Sequence, residues 1–223
     1  MSVAENFISY AGTRYSDAEM LERSQNFFNW MDQRRSVRDF STEPVAREVI
    51  ENCIRAASTA PSGAHKQPWT FCLVSRENAE LRKQIREAAE VEERENYGGR
   101  MSERWRSDLR PLGTDAVKPF LEEAPWLIIL FKRAFEIEDG KRHNNYYVNE
   151  SVGLAGGFLL AALHNVGLVA LTHTPSPMNF LSKALNRPDN ERPFLLIPVG
   201  HPKEDAQVPD LTRKPLEDVR VNY

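Results

Sequence analysis

Cysteine is scarce in this chain: 223 residues hold two, Cys53 and Cys72. They fall in a helix-like and a strand-like stretch and have no metal-ligand spacing. That excludes a disulfide framework and a cysteine-rich zinc site, and it reads as buried free thiols of a reducing compartment. An excess of either charge is also missing. The formal net charge is −3, and basic residues are interleaved with acids rather than gathered in runs, which argues against a nucleic-acid partner. Long apolar runs are absent too. Trp126 to Phe131 and Leu154 to Leu163 fall far short of the ~18 residues a membrane-spanning helix needs. The opening MSVAENFISYAGTRYSD places acids and polar residues where an export signal has its apolar centre. The expectation is a soluble, cytoplasmic protein with no membrane or nucleic-acid partner. Glycines do cluster at Gly153, Gly156 and Gly157, but inside a helical pattern rather than in a turn after a strand, so they are no dinucleotide fingerprint.

What is present suffices for one domain. Hydrophobic residues make up 41% of the chain and charged residues 27%, a globular balance with material for a sizeable core. Met1 to Tyr15 is weakly patterned and reads as an arm. Ser16 to Asp32 reads as a helix, with Ser16 and Glu19 spaced as a capping box. Val45 to Ser58 has a helical apolar period. Thr70 to Val74, Ala124 to Lys132, Leu168 to Leu171 and Phe194 to Val199 read as strands, and Glu136 to Arg142 as a charged turn. Glu150 to Asn165 is small and apolar nearly all round, the mark of a buried central helix and a candidate dimer seam. The expected fold class is α+β: a small mixed sheet around a central buried helix, one domain over 1–223.

Four stretches point to chemistry. Arg34-Arg35-Ser36-Val37-Arg38 sets three guanidinium groups and a hydroxyl within five residues, a donor set matched to phosphate oxygens. Thr59 to His65 is a loop of small residues that lets a ligand approach the backbone closely. Ala79 to Lys118 carries 18 charged residues in 40 positions, far above the chain average. Few apolar residues remain to anchor it, so it is expected to be a helical lid of low local stability. The tail from Lys203 to Tyr223 is polar and extended, and such a tail is kept in place when it drapes over a partner or completes a site.

Taken together, RRSVRDFS, PSGAHKQPWTF, THTP and PVGHP…VPDLTRKPL resemble the FMN-dependent nitroreductase superfamily, and most closely its halotyrosine-dehalogenating branch. The resemblance runs from about Asn29 to Pro215. It implies a nitroreductase-like fold and an obligate homodimer with two FMN sites at the interface. It implies that Arg34, Arg35, Ser36, Val37 and Arg38, with Ser62, Thr172, His173, Thr174 and the tail Arg213, bind the flavin, Thr174 through its hydroxyl to N5. Position 173 is His here where relatives often have Thr. The resemblance further implies that Glu93, Tyr97 and Lys118 hold the amino-acid zwitterion of a halotyrosine such as 3-iodotyrosine or 3,5-diiodotyrosine, Glu93 pairing with the ammonium and the other two with the carboxylate. The backbone N–H of Ala64 would meet the substrate phenolate, making Ala64 and Thr174 the catalytic pair. The reaction implied is reductive dehalogenation, releasing halide and tyrosine, with electrons from NAD(P)H or a reductase partner. Two other readings stand beside it: a broad-specificity nitro- or quinone reductase, and a non-catalytic flavin-binding module.

Overall fold

The computed structural model describes residues 7–223. The expectation about an export signal draws partly on residues 1–6, which lie outside them. The chain forms two compact units, the first ending at Arg34 and the second running from Arg35 to Tyr223.

The first unit contains helix α1 (Asp17–Asp32). It starts where the capping box predicts: Ser16 N–H donates to Glu19 Oε2 at 2.8 Å, and Glu19 N–H donates to Ser16 Oγ at 3.3 Å. Two end donors are thereby satisfied reciprocally. Phe27 and Phe28 are exposed and no residue of the helix is buried. The unit closes at Arg34, whose N–H donates to Met31 O at 3.1 Å.

The second unit is built on a four-stranded sheet. Its strands are β1 (Trp69–Ser75), β2 (Trp126–Arg133), β5 (Val169–Ala170) and β6 (Glu191–Gly200), in the order β1-β2-β6-β5. Side chains alternate across β2. Leu127, Ile129 and Phe131 join one buried cluster with Ile85, Ala89, Phe120 and Leu181. Trp126 and Ile128 join another with Ile50, Cys53, Leu159 and Leu163. Helices α3 (Ala79–Glu95), α5 (Phe120–Glu123) and α7 (Asn179–Ala184) thus cover one face, and α2 (Arg47–Ala57) and α6 (Val148–Asn165) the other. A strand apolar on both faces must be covered on both, which is why β2 reads as a continuous hydrophobic run.

The structure departs from the sequence reading in four places. The named strands pair only antiparallel, and the parallel component of the expected mixed sheet is one bridge, Ser36 to Ala170. The expected charged turn at 136–142 is a hairpin, β3 (Phe135–Glu138) with β4 (Lys141–Asn144). Its turn residues Asp139 and Gly140 have φ of 51° and 71°, the left-handed pair of a type I′ turn. Helix α6 is not buried all round, because Gly153, Leu154, Gly157 and Phe158 are exposed along one side. The charged stretch is anchored on both sides of its middle: α3 buries Arg82, Ile85, Ala89 and Glu93 and Lys118 is buried at the far end, whereas the short helix α4 (Glu103–Leu109) buries nothing. Two apolar anchors, Ile85 and Ala89, and the buried Arg82 dock α3, the fully buried Ile85 alone being worth roughly 1.5–3 kcal/mol.

No described helix is long and apolar enough to cross a membrane.

Candidate active site

Glu93 lies in the last turn of α3, and the helix then widens into a π-helical turn, Asn96–Arg100. Such turns re-aim side chains locally. Tyr97, on this turn, donates its hydroxyl to Thr114 O at 3.0 Å. Lys118, 21 residues further on, returns to the same place. Its Nζ donates to Thr114 Oγ1 at 3.0 Å and to Asp115 O, and its own N–H donates to Glu90 Oε1 at 2.8 Å. Lys118 Nζ stands 3.8 Å from Glu93 Oε2 and 5.9 Å from the centre of the Tyr97 ring. The three residues expected to hold a zwitterion are therefore one cluster. Two of them are nearly sealed from water, with Glu93 6% and Lys118 2% exposed.

Burial sets the electrostatics. It raises the Glu93 carboxyl, with Lys118 pulling it back down. It lowers the Lys118 ammonium, with Glu93 pulling that back up. Each charge is thus expensive alone and tolerated because the other is present. Tyr97 is pushed up by burial and by the nearby Glu93 and Asp115, against its bond to Thr114, so it stays a neutral donor.

The other wall is the segment Thr172-His173-Thr174. His173 N–H donates to Leu196 O at 2.8 Å and its carbonyl accepts from Leu196 N–H at 3.0 Å, which lays the segment beside β6 as an isolated antiparallel bridge. In an extended chain alternate residues face opposite sides. Thr172 and Thr174 are exposed and His173 is buried. The imidazole packs edge-on to Phe120, 5.5 Å between ring centres, and its Nε2 lies 4.0 Å from Glu93 Oε1. Burial, followed by the positive charges of Lys118 and Arg38, pushes it down to about 3, so it is neutral at physiological pH. Its side chain faces the Glu93 carboxylate, away from the open side where the two threonines stand. Asn96 ties the same elements a second time, donating to Ser176 O at 3.0 Å.

The arginine stretch runs alongside. Val37 is buried and its N–H donates to Ala170 O at 3.3 Å. Ser36 is exposed. Arg35 donates through Nη2 to Pro209 O, bringing the polar tail against the cluster, and Gln207 N–H reaches Asp39 Oδ2 at 3.4 Å. Arg38 is half-buried. Burial lowers its guanidinium, against the pull of Tyr97 and Asp39. A partly desolvated guanidinium of this kind suits an anionic ligand edge. With the hydroxyls of Thr172 and Thr174 on the open side, the donor set fits a flavin mononucleotide. Arg213 is exposed in the tail.

Ser62 and Ala64 sit on a separate loop packed on the start of α6. Gln67 N–H donates to Ser62 Oγ at 2.9 Å, leaving the hydroxyl proton of Ser62 for another acceptor. Ala64, His65 and Gln67 have φ of 50°, 55° and 46°, an unusual density of left-handed non-glycine backbone of the sort found at ligand clamps. Gly63 N–H donates to Ser151 Oγ at 3.4 Å. A Cβ at Gly63 would come within 2.9 Å of Tyr147 Cδ2 and 3.0 Å of Tyr146 O. Only glycine fits there.

Four contributors escape sequence reasoning: Asn96, Thr114, Asp115 and Phe120. The buried face of His173 does have a signal, the period-two alternation of Thr-His-Thr just after the short strand β5. Cys53 and Cys72 are pushed up by burial and offer no nucleophile.

Residues 31–201 match the sequence profile of the Nitroreductase family. The chain is 59% identical over 218 residues to iodotyrosine deiodinase of Haliscomenobacter hydrossis, covering 97% of each chain. It is 49% identical over 218 residues to that of Danio rerio, covering 96% of this chain and 72% of the relative. Its fold matches a solved structure of oxidized iodotyrosine deiodinase bound to FMN and 3-iodo-L-tyrosine with a TM-score of 0.77 at 31% identity, over 88% of this chain and 98% of the other.

Proposed function

The chain belongs to the nitroreductase family and, within it, to the iodotyrosine deiodinases, and from that premise we propose that it is an FMN-dependent enzyme that removes halide reductively from halotyrosines. The observation that carries this reading is the convergence of Glu93, Tyr97 and Lys118 in one largely buried cluster beside Thr172–Thr174. Glu93 and Lys118 compensate each other at 3.8 Å. A zwitterion entering between them brings one charge of each sign, so both buried groups gain a partner and the pocket stays neutral. A lone amine or a lone acid would leave one buried charge unmatched, at a cost of several kcal/mol. A halophenol without the head group would gain nothing from the pair.

FMN, when bound, supplies the two electrons that, with a proton, replace the carbon–halogen bond by carbon–hydrogen. Arg35, Ser36 and Arg38, with Arg213 from the tail, hold its phosphate and pyrimidine edges, and Thr174 donates to N5. Ser62 touches the cofactor, and the N–H of Ala64 meets the phenolate and keeps it ionised. The segment from α4 to Lys118 closes over the substrate and excludes water, a role open to it because α4 buries no residue of its own. The active form is a homodimer. The exposed apolar side of α6, with Leu154 and Phe158, and the exposed Tyr146 and Tyr147 beside the small loop are the surface a second copy would cover, completing the flavin site there. The two free thiols suit a reducing, cytoplasmic setting.

The test is a titration of the oxidised holoenzyme followed by flavin fluorescence. 3-Iodotyrosine is expected to bind at least ~100-fold more tightly than 2-iodophenol, and Glu93→Gln to abolish that margin, since truncating one partner of a buried charge pair costs about 2–5 kcal/mol. Iodide release driven by dithionite, independent of whether NAD(P)H or a reductase is the natural donor, then separates an enzyme from a flavin-binding module. Equal affinity for the two ligands would sink the assignment in favour of a broad-specificity reductase.

A further inference from the structure

Glu93 is bracketed. One carboxylate oxygen faces Lys118 Nζ at 3.8 Å and the other faces His173 Nε2 at 4.0 Å. Neither distance is a hydrogen bond. His173 Nε2 is fully enclosed and has no partner, in a residue only 8% exposed. An enclosed ring nitrogen without a partner is costly and calls for an explanation. Aimed at a carboxylate about 1 Å beyond bonding range, it has an obvious one, because a small movement of α3 would satisfy it. The backbone of His173 is meanwhile pinned to β6 by two hydrogen bonds to Leu196, and its neighbours Thr172 and Thr174 stand on the opposite, open side.

We propose that His173 is a positioning residue that joins the head-group site to the cofactor-facing segment: with its proton on Nε2, it closes onto Glu93 Oε1 when an ammonium-bearing ligand draws Glu93 away from Lys118. The proposal rests on the assignment of Glu93 as the ammonium partner. Lys118 leaves Glu93 to meet the ligand carboxylate, and the carboxylate of Glu93 then keeps two donors, the ligand ammonium and the imidazole. Because the imidazole hangs from the strand-like segment that carries Thr172 and Thr174, head-group binding is registered where the flavin lies. Without the imidazole, Glu93 would be held from one side only, and the ammonium would be bound less well even though no ligand atom touches His173.

The experiment uses the FMN-loaded enzyme and two ligands, 3-iodotyrosine and 2-iodophenol. His173→Phe and His173→Leu keep an apolar filling but remove the donor, while His173→Gln returns an N–H at similar reach. The apolar variants are expected to retain flavin and 2-iodophenol binding and to lower the preference for 3-iodotyrosine roughly tenfold or more, the worth of a hydrogen bond to a charged group. His173→Gln should recover most of it. In the wild type labelled with 15N-histidine, 3-iodotyrosine should shift the His173 Nε2 resonance and 2-iodophenol should not. This readout decides the matter even if a variant fails to fold. The inference is overturned if the apolar variants keep the full preference, if they weaken both ligands equally, or if the two ligands leave the resonance alike. A wild type that does not prefer 3-iodotyrosine would instead remove the functional assignment beneath it.

Discussion

Acid should weaken this fold through His173, and the size of the effect follows from its burial. The imidazole is held down to about 3 from an ordinary 6.5, first by desolvation and then by Lys118 and Arg38. A group depressed in the folded state contributes its stability fully above its unfolded value and loses it as pH falls toward the folded value. The window therefore runs from 6.5 down to about 3. At pH 5 the unfolded chain has taken up the proton and the folded chain has not. The loss relative to pH 7.5 is about 1.5 units at 1.36 kcal/mol each, or about 2 kcal/mol, and ~4–8 °C in Tm for a chain of this size. Glu93 acts with the opposite sign. Burial raises it, so its contribution is present below its unfolded value and declines as pH rises through the raised one, which offsets part of the His173 loss. Comparing wild type with His173→Phe removes that offset, since Glu93 is common to both. Urea denaturation of both holoproteins at pH 7.5 and 5.0 is expected to show the wild type losing about 2 kcal/mol more than the variant. Equal losses would refute the reasoning, because the imidazole would then titrate alike in the folded and unfolded chains.

Two further substitutions probe the frame of the site. Gly63→Ala puts a Cβ within 2.9 Å of Tyr147 and 3.0 Å of the Tyr146 carbonyl. It is expected to cost about 1–3 kcal/mol by overpacking and to lower FMN affinity, measured by thermal melting and flavin release on dilution. Arg82 is 1% exposed and donates to Val74 O, Leu121 O and Ala124 O. Arg82→Met fills similar volume but leaves three buried carbonyls without their donor, at about 1–3 kcal/mol each, so urea denaturation should show a loss of about 3 kcal/mol or more. A loss below 1 kcal/mol would mean that water reaches those carbonyls.

What could be read before folding was whatever depends on near neighbours. The capping box at Ser16 and Glu19 placed the start of α1, and the apolar run of β2 announced a strand covered on both faces. The hairpin at 135–144 was legible too, from Asp139-Gly140 with strands on either side, but the surrounding charge masked it as a turn. Where the reading failed, the deciding contact was distant in sequence. Nothing local says that α3, among the most charged stretches, is clamped by Arg82 to carbonyls some 40 residues away, and composition alone therefore underestimated its anchoring. The exposed side of α6 is the converse case. Its apolar sequence signals burial, yet Leu154 and Phe158 are open, because composition does not record which face of a helix the rest of the chain reaches. The site divides along the same line. Glu93, Tyr97 and Lys118 were placed together by family likeness, and the structure makes them neighbours. Beside them stands a single alternation, Thr-His-Thr, in which the middle residue turns inward to face Glu93. That alternation was visible in the chain. Its meaning was not, because an inward His has a function only when a carboxylate from a helix 80 residues earlier stands opposite it.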